Sequence, residues 1–176
     1  QPLGGGLEVA ISAHYRIAAP KTKVGLPEVL LGILPGAGGT QRLLRLCGVA
    51  MALDMMLTGK HVNTEDAYKN GIIDEIADDD NTIDNGIAYA KRLISEGFKA
   101  RPTSKINDKL SNLEEVKKII VKVKAETLIK AKNLFSPHAI IKCVEEGLDL
   151  DFDLSIKNER KIFKECIESP QRQGLI

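Results

Sequence analysis

The run Gly4-Gly5-Gly6-Leu7-Glu8, followed by Gly25-Leu26-Pro27-Glu28 and then Pro35-Gly36-Ala37-Gly38-Gly39-Thr40-Gln41-Arg42, sets two carboxylates among glycines near the start of a 176-residue chain. A glycine triplet ahead of an apolar helical run lets the backbone turn sharply and approach a ligand, because no Cβ stands in the way. A helix start leaves N–H groups unpaired and carries a positive partial charge, so an oxygen that gains negative charge during a reaction is stabilised there. Glu8 lies just past those donors. Lys23 to Leu26 reads as a short strand, and Pro27 fixes the backbone before Glu28, which places the second carboxylate at a strand end.

Taken singly, these features have plainer readings. A Glu in the first turn of a helix ordinarily serves the helix dipole, worth about 0.3–1 kcal/mol. Gly36-x-Gly38-Gly39 lacks the full dinucleotide fingerprint and no Gly-Lys-Ser/Thr follows it, so a phosphate cradle is not expected.

Outward from this stretch the pattern predicts helices. Leu7 to Ile17 is apolar on nearly every side, as in a helix packed inside a layered domain. His14 interrupts it, and a lone His there is more often a hydrogen-bonded core or edge residue than a proton shuttle. Gly39 to Leu46 and Val49 to Thr58 read as helices closed by Gly48 and Gly59. Met51, Met55 and Met56 on the second fit a core face, or the pliable wall of an acyl tunnel. Asn63 or Thr64 caps a helix over Glu65 to Asn70, Ile72 to Ala77 reads as a strand, and Thr82 to Ser95 as a helix behind an acidic entry.

Past Arg101-Pro102-Thr103-Ser104 the composition shifts from small and glycine-rich to long charged helices. Asn112 to Leu134 carries Lys117, Lys118, Lys122, Lys124, Lys130 and Lys132, with Val116, Ile119, Ile120, Val123, Leu128 and Ile129 as its apolar side. The lysines suit a solvated face or contacts to an anionic ligand, and charge alone does not decide between them. Ser136-Pro137 reads as a helix start with Ser as the cap. Phe152 to Glu168 and a segment from Ser169-Pro170 complete the helices.

Hydrophobic residues make up 43% of the chain, enough for one domain with a core or one domain with an appendage, and the formal net charge of +1 calls for neither nucleic acid nor an acidic membrane. Cys47, Cys143 and Cys166 are widely spaced, which argues against a disulfide framework or a zinc site and for small buried hydrophobes in a reducing compartment. No metal site and no membrane span are expected. The chain lacks an initiator Met and begins almost on the glycine triplet, so it reads as a fragment.

In this order and at these separations, the three motifs resemble the enoyl-CoA hydratase (crotonase) family, as do Leu57-Thr58-Gly59-Lys60 and the later Gly71-Ile72-Ile73-Asp74. The resemblance implies an α/β fold: residues 1–104 as the C-terminal part of a crotonase-like ββα spiral, and residues 105–176 as an all-helical linker. It makes Gly5 an oxyanion-hole donor, Glu8 and Glu28 the acid/base pair, and Gly36 a glycine whose backbone orders the centre. The second oxyanion donor lies, by resemblance, upstream of residue 1. The implied reaction is hydration of 2-trans-enoyl-CoA in fatty-acid β-oxidation, with or without 3-to-2 enoyl-CoA isomerisation. The alternatives are an isomerase alone and a non-catalytic acyl-CoA-binding or assembly module.

The tail, from Glu146-Gly147-Leu148-Asp149 through Asn158-Glu159-Arg160-x-x-Phe163 to Ser169-Pro170-Gln171-Arg172, resembles the linker of multifunctional β-oxidation enzymes of the peroxisomal and bacterial type. There it leads to a 3-hydroxyacyl-CoA dehydrogenase domain. The resemblance thus implies coenzyme A thioester as substrate, no cofactor in these residues, and NAD only in a downstream domain. The expected partners are the acyl-CoA, the upstream half and the dehydrogenase. Trimeric, hexameric and monomeric assembly, and peroxisomal, cytoplasmic or mitochondrial location, stay open, with the peroxisome favoured.

Overall fold

The computed structural model describes residues 1–175. The glycine triplet opens helix α1 (Gly5–Ala10), with Gly4 as its N-cap at φ 55°, a conformation that excludes a Cβ-bearing residue. The chain continues through strands β1 (Ile17–Ala18) and β2 (Lys23–Val24) into a 3-10 turn over Pro27–Leu31. Helices α2 (Gly39–Cys47) and α3 (Val49–Thr58) follow, then strand β3 (Val62–Asn63), helix α4 (Thr64–Lys69), strand β4 (Glu75–Ile76) and helix α5 (Thr82–Ser95). Helices α6 (Leu113–Lys130), α7 (Phe135–Gly147), α8 (Phe152–Ile167) and α9 (Pro170–Gly174) form the helical part.

The strands pair as two small sheets. β1 runs parallel to β4 with Ile17 opposite Glu75, and β2 runs antiparallel to β3 with Val24 opposite Val62. A bridge between Leu3 and Gly25, with Gly4 N–H donating to the Gly25 carbonyl at 2.9 Å, ties the glycine triplet to the segment that enters Glu28. That tie brings two motifs twenty residues apart to one place.

One hydrophobic cluster runs through the whole fold, from Leu7, Leu26 and Leu34 through Leu43, Leu53, Met55 and Met56 to Ile120, Ile140, Val144 and Ile162. Met55 and Met56 are fully buried in it, so these methionines are core. Met55→Ala is expected to lower unfolding free energy by about 2–5 kcal/mol, measured by denaturant unfolding.

Several boundaries differ from the sequence expectation. The helix expected over Leu7 to Ile17 stops at Ala10: Ser12 Oγ donates to the Val9 carbonyl at 2.6 Å, and the Arg16 backbone N–H donates to Asp74 at 2.8 Å, pulling the chain out toward β4. Val9 is exposed, so this helix is not packed on every side. The Ile72 to Ala77 strand is confined to Glu75–Ile76, although Ile72 and Ile73 are buried. On α6, Leu128 and Ile129 are exposed, whereas Val116 and Ile120 are buried and Ile119 and Val123 pack partly buried against the core. Ser136 does not cap α7. The Gln171 side-chain oxygen, arriving from α9, accepts from Phe135 N–H at 2.5 Å and Ser136 N–H at 2.9 Å instead.

Candidate active site

The four predicted residues, Gly5, Glu8, Glu28 and Gly36, line one cleft. Glu8 on α1 and Glu28 in the 3-10 turn both line a cavity of about 500 Å³ with Leu3, Gly4, Gly5 and Pro27. Both carboxylates are buried, at 4% and 9% exposure. A Cβ on Gly4 would stand 3.0 Å from Glu28 Oε1, so the bare backbone at Gly4 is what lets the carboxylate sit against the triplet.

The two carboxylates are held very differently. Glu8 Oε1 accepts the backbone N–H of Ala37 at 2.7 Å and of Gly39 at 2.8 Å, which fixes its orientation at the entry of α2. Glu28 Oε2 is buried and accepts no hydrogen bond among the described residues. Burial penalises the charged form and outweighs the opposing hydrogen bond from the Glu28 backbone N–H; the carboxylates of Glu8 and then Glu159 add smaller repulsions, and the carboxyl is pushed up to about 7. Such a group holds a proton near neutrality.

Gly5 carries a free donor. Gly4 N–H is used by Gly25, and Gly6 N–H by the Leu3 carbonyl at 3.1 Å, whereas Gly5 N–H donates to no group among the described residues. Gly36 also lines the cleft, but the bonds that fix Glu8 come from its neighbours Ala37 and Gly39. Gly36 itself lies under the Phe163 ring, where a Cβ would come within 2.6 Å of the ring carbon Cδ2.

Two residues at this site were read from the sequence only as part of the tail motif and not as site residues. Glu159 on α8 is fully buried and accepts Gly38 N–H at 2.6 Å, Thr40 N–H at 3.1 Å and Thr40 Oγ1 at 2.5 Å. Phe163, one turn further on, lines the cleft beside Glu8 and Glu28. The signal was present: Ser155, Glu159, Ile162 and Cys166 form the buried stripe of α8, and a carboxylate inside such a stripe demands a partner.

Other candidates fall away from the cleft. His14 is exposed, and its carbonyl accepts from the Arg101 guanidinium at 3.2 Å. The six lysines of the α6 region are exposed, and three are paired on the surface, Lys117 with Asp149, Lys124 with Glu145 and Lys130 with Glu126. Cys143 and Cys166 are buried and Cys47 is half-buried, all free thiols raised above their ordinary range by burial. Among the described residues no cluster of His, Cys, Asp and Glu is arranged to hold a metal, and no helix is long and apolar enough to cross a membrane.

With this geometry in place, the comparisons with known proteins give it a context. The enoyl-CoA hydratase/isomerase family model matches residues 1–139. A peroxisomal fatty acid beta-oxidation multifunctional protein of Arabidopsis thaliana is 38% identical over 175 residues, covering 99% of this chain and 24% of the relative. The peroxisomal bifunctional enzyme of Homo sapiens is 34% identical over 176 residues, 98% of this chain and 23% of the relative. The chain therefore spans just under a quarter of the length of these curated relatives. Among solved structures, a carnitinyl-CoA hydratase from Mycobacterium avium has the same fold over 98% of this chain and 53% of its own, with a TM-score of 0.59 at 24% identity.

Proposed function

Because the chain belongs to the enoyl-CoA hydratase/isomerase family and has its crotonase-like α/β fold with a helical C-terminal region, we propose that its cleft serves the reversible addition of water across the C2–C3 double bond of a 2-trans-enoyl-CoA. The observation that carries this reading is the meeting of two buried, unlike carboxylates, Glu8 and Glu28, with the free Gly5 N–H in one cleft.

Each group has a role that its surroundings suit. As water adds at C3, the thioester oxygen gains negative charge, and the Gly5 N–H stabilises it; one such donor is worth about 3 kcal/mol. Glu8, held by two amides through Oε1, takes the proton from the attacking water. Glu28, which keeps its proton to about 7, gives it to C2. Proton count balances: Glu8 ends protonated and Glu28 ionised, and exchange with solvent resets the pair. Shifting a double bond from C3 to C2 needs only a carboxyl that moves a proton, so Glu28 also suits isomerisation; the held Glu8 is the feature that favours hydration.

In this reading the substrate is a coenzyme A thioester and the acid/base chemistry uses no cofactor. Residues 1–104 supply the hydratase part and residues 105–176 the helical linker toward a 3-hydroxyacyl-CoA dehydrogenase domain, where NAD belongs. The names of the peroxisomal multifunctional and bifunctional relatives support β-oxidation as the setting and the peroxisome as the location.

The test is turnover by the full chain. Loss of conjugated thioester absorbance with crotonoyl-CoA and with a longer enoyl-CoA is expected, with formation of 3-hydroxyacyl-CoA. Binding of a saturated acyl-CoA with no turnover of either enoyl thioester would turn the reading over to a non-catalytic binding module.

A further inference from the structure

We propose that Glu159 is a positioning residue for this site: reaching in from α8, it fixes the Gly38–Thr40 turn and thereby the two amides that hold Glu8. The proposal rests on the hydratase reading above, and its ground is the bonding pattern of four consecutive residues. Ala37 N–H and Gly39 N–H donate to Glu8, while Gly38 N–H and Thr40 N–H donate to Glu159. The amides alternate between the two carboxylates, so neither set can be rotated without breaking the other. A carboxylate placed on one side of the turn therefore sets the direction of the donors on the opposite side.

The rest of the contact is built to keep Glu159 in place. It is fully buried, and Thr40 Oγ1, which donates to its Oε2 at 2.5 Å, in turn accepts from Gln41 Nε2 at 3.1 Å and lies 3.3 Å from Cys143 Sγ on α7. Gly38 takes φ 97° and Gly39 has no room for a Cβ, which would stand 2.7 Å from Glu8 Oε1, so the turn packs directly between the two acids. One turn along the same helix, Phe163 closes over Gly36 and forms part of the cleft wall. Helix α8 thus touches the catalytic turn at two successive points, and a buried carboxylate is an expensive means of mere packing when an apolar side chain would serve.

The charges around the site make the proposal readable by titration. Glu28 faces Glu8 from α1 and Glu159 from α8, and both raise it. Glu159 faces Glu8, the Thr40 hydroxyl and Cys143. On α2, the Arg42 guanidinium donates to the Ala37 carbonyl at 3.4 Å. Glu159 also holds its proton to about 7, so it repels Glu28 where it has itself ionised; Glu159→Gln removes that repulsion and moves the Glu28 midpoint to lower pH.

The test uses Glu159→Gln in the full chain, read by steady-state kinetics and by NMR titration of the carbon-13-labelled Glu28 carboxyl without substrate. A displaced turn is expected to lower kcat by on the order of 100-fold, with KM little changed, and the Glu28 midpoint is expected to fall, carrying the alkaline limb of the rate with it. Thr40→Val, which removes only the hydroxyl donor, is expected to act in the same direction by less and serves if the Gln variant does not fold. A folded Glu159→Gln protein, or failing it a folded Thr40→Val protein, with wild-type kcat and an unmoved Glu28 midpoint would overturn the proposal. A wild-type chain that hydrates nothing would instead sink the hydratase reading, and the Glu28 titration would then decide the role of Glu159 by itself.

Discussion

Replacing Glu28 by Gln is expected to lower hydration of a 2-enoyl-CoA by about 10²- to 10⁴-fold, the usual worth of a positioned general acid. The substitution keeps size and shape, so affinity for a saturated acyl-CoA should change little and the loss should fall on kcat. The wild-type rate has a predicted alkaline limb: Glu28 gives up its proton near 7, and a donor without its proton cannot supply C2. The residual rate of the variant lacks that limb. Initial rates across the neutral range check both statements, and full activity in the variant would remove Glu28 from the mechanism.

The same groups link protonation to folding. Glu28 and Glu159 hold their protons to about 7 in the fold, against 4.5 for the ordinary carboxyl. Between those values the folded chain binds more protons than the unfolded one, so stability falls as pH rises. The contribution is complete below the unfolded value and lost once pH passes the folded one. Thermal unfolding of Glu28→Gln should accordingly depend less on pH over this interval than that of the wild type.

The centre of the fold was legible because its signals are local and steric. Gly48 and Gly59 close α2 and α3 where their positive φ requires glycine, and Asn63 and Asn81 cap α4 and α5 by accepting Asp66 and Asp84 N–H. What was not legible is set by partners far along the chain. α1 ends early because Arg16 is claimed by Asp74, and α7 is capped by Gln171 rather than by its own Ser136. Glu159 belongs with these. Its position on the buried stripe marks it as paired, but only the fold shows that its partner is the turn holding Glu8, more than a hundred residues earlier.

Glu8 does two things that two substitutions can separate. It is the proposed acceptor of the water proton, and it is the acceptor for Ala37 N–H and Gly39 N–H. In Glu8→Gln the amide oxygen still accepts both bonds, so the turn keeps its shape while the base is gone; hydration is expected to fall by about 10²- to 10⁴-fold with stability nearly unchanged. In Glu8→Ala the base is gone as well and both amides lose their partner, which costs about 1–3 kcal/mol for each buried donor left unmade. The two variants should therefore be equally slow but unequally stable, measured by enoyl-CoA turnover and denaturant unfolding. Equal stability would show that Glu8 does not hold the turn, and a Gln variant that hydrates at the wild-type rate would move the base elsewhere. If Glu159 fixes the far side of the turn, part of the Ala37–Gly39 geometry survives Glu8→Ala, and the double variant Glu8→Ala/Glu159→Gln should lose more stability than the sum of the single losses, because residues sharing one network do not add.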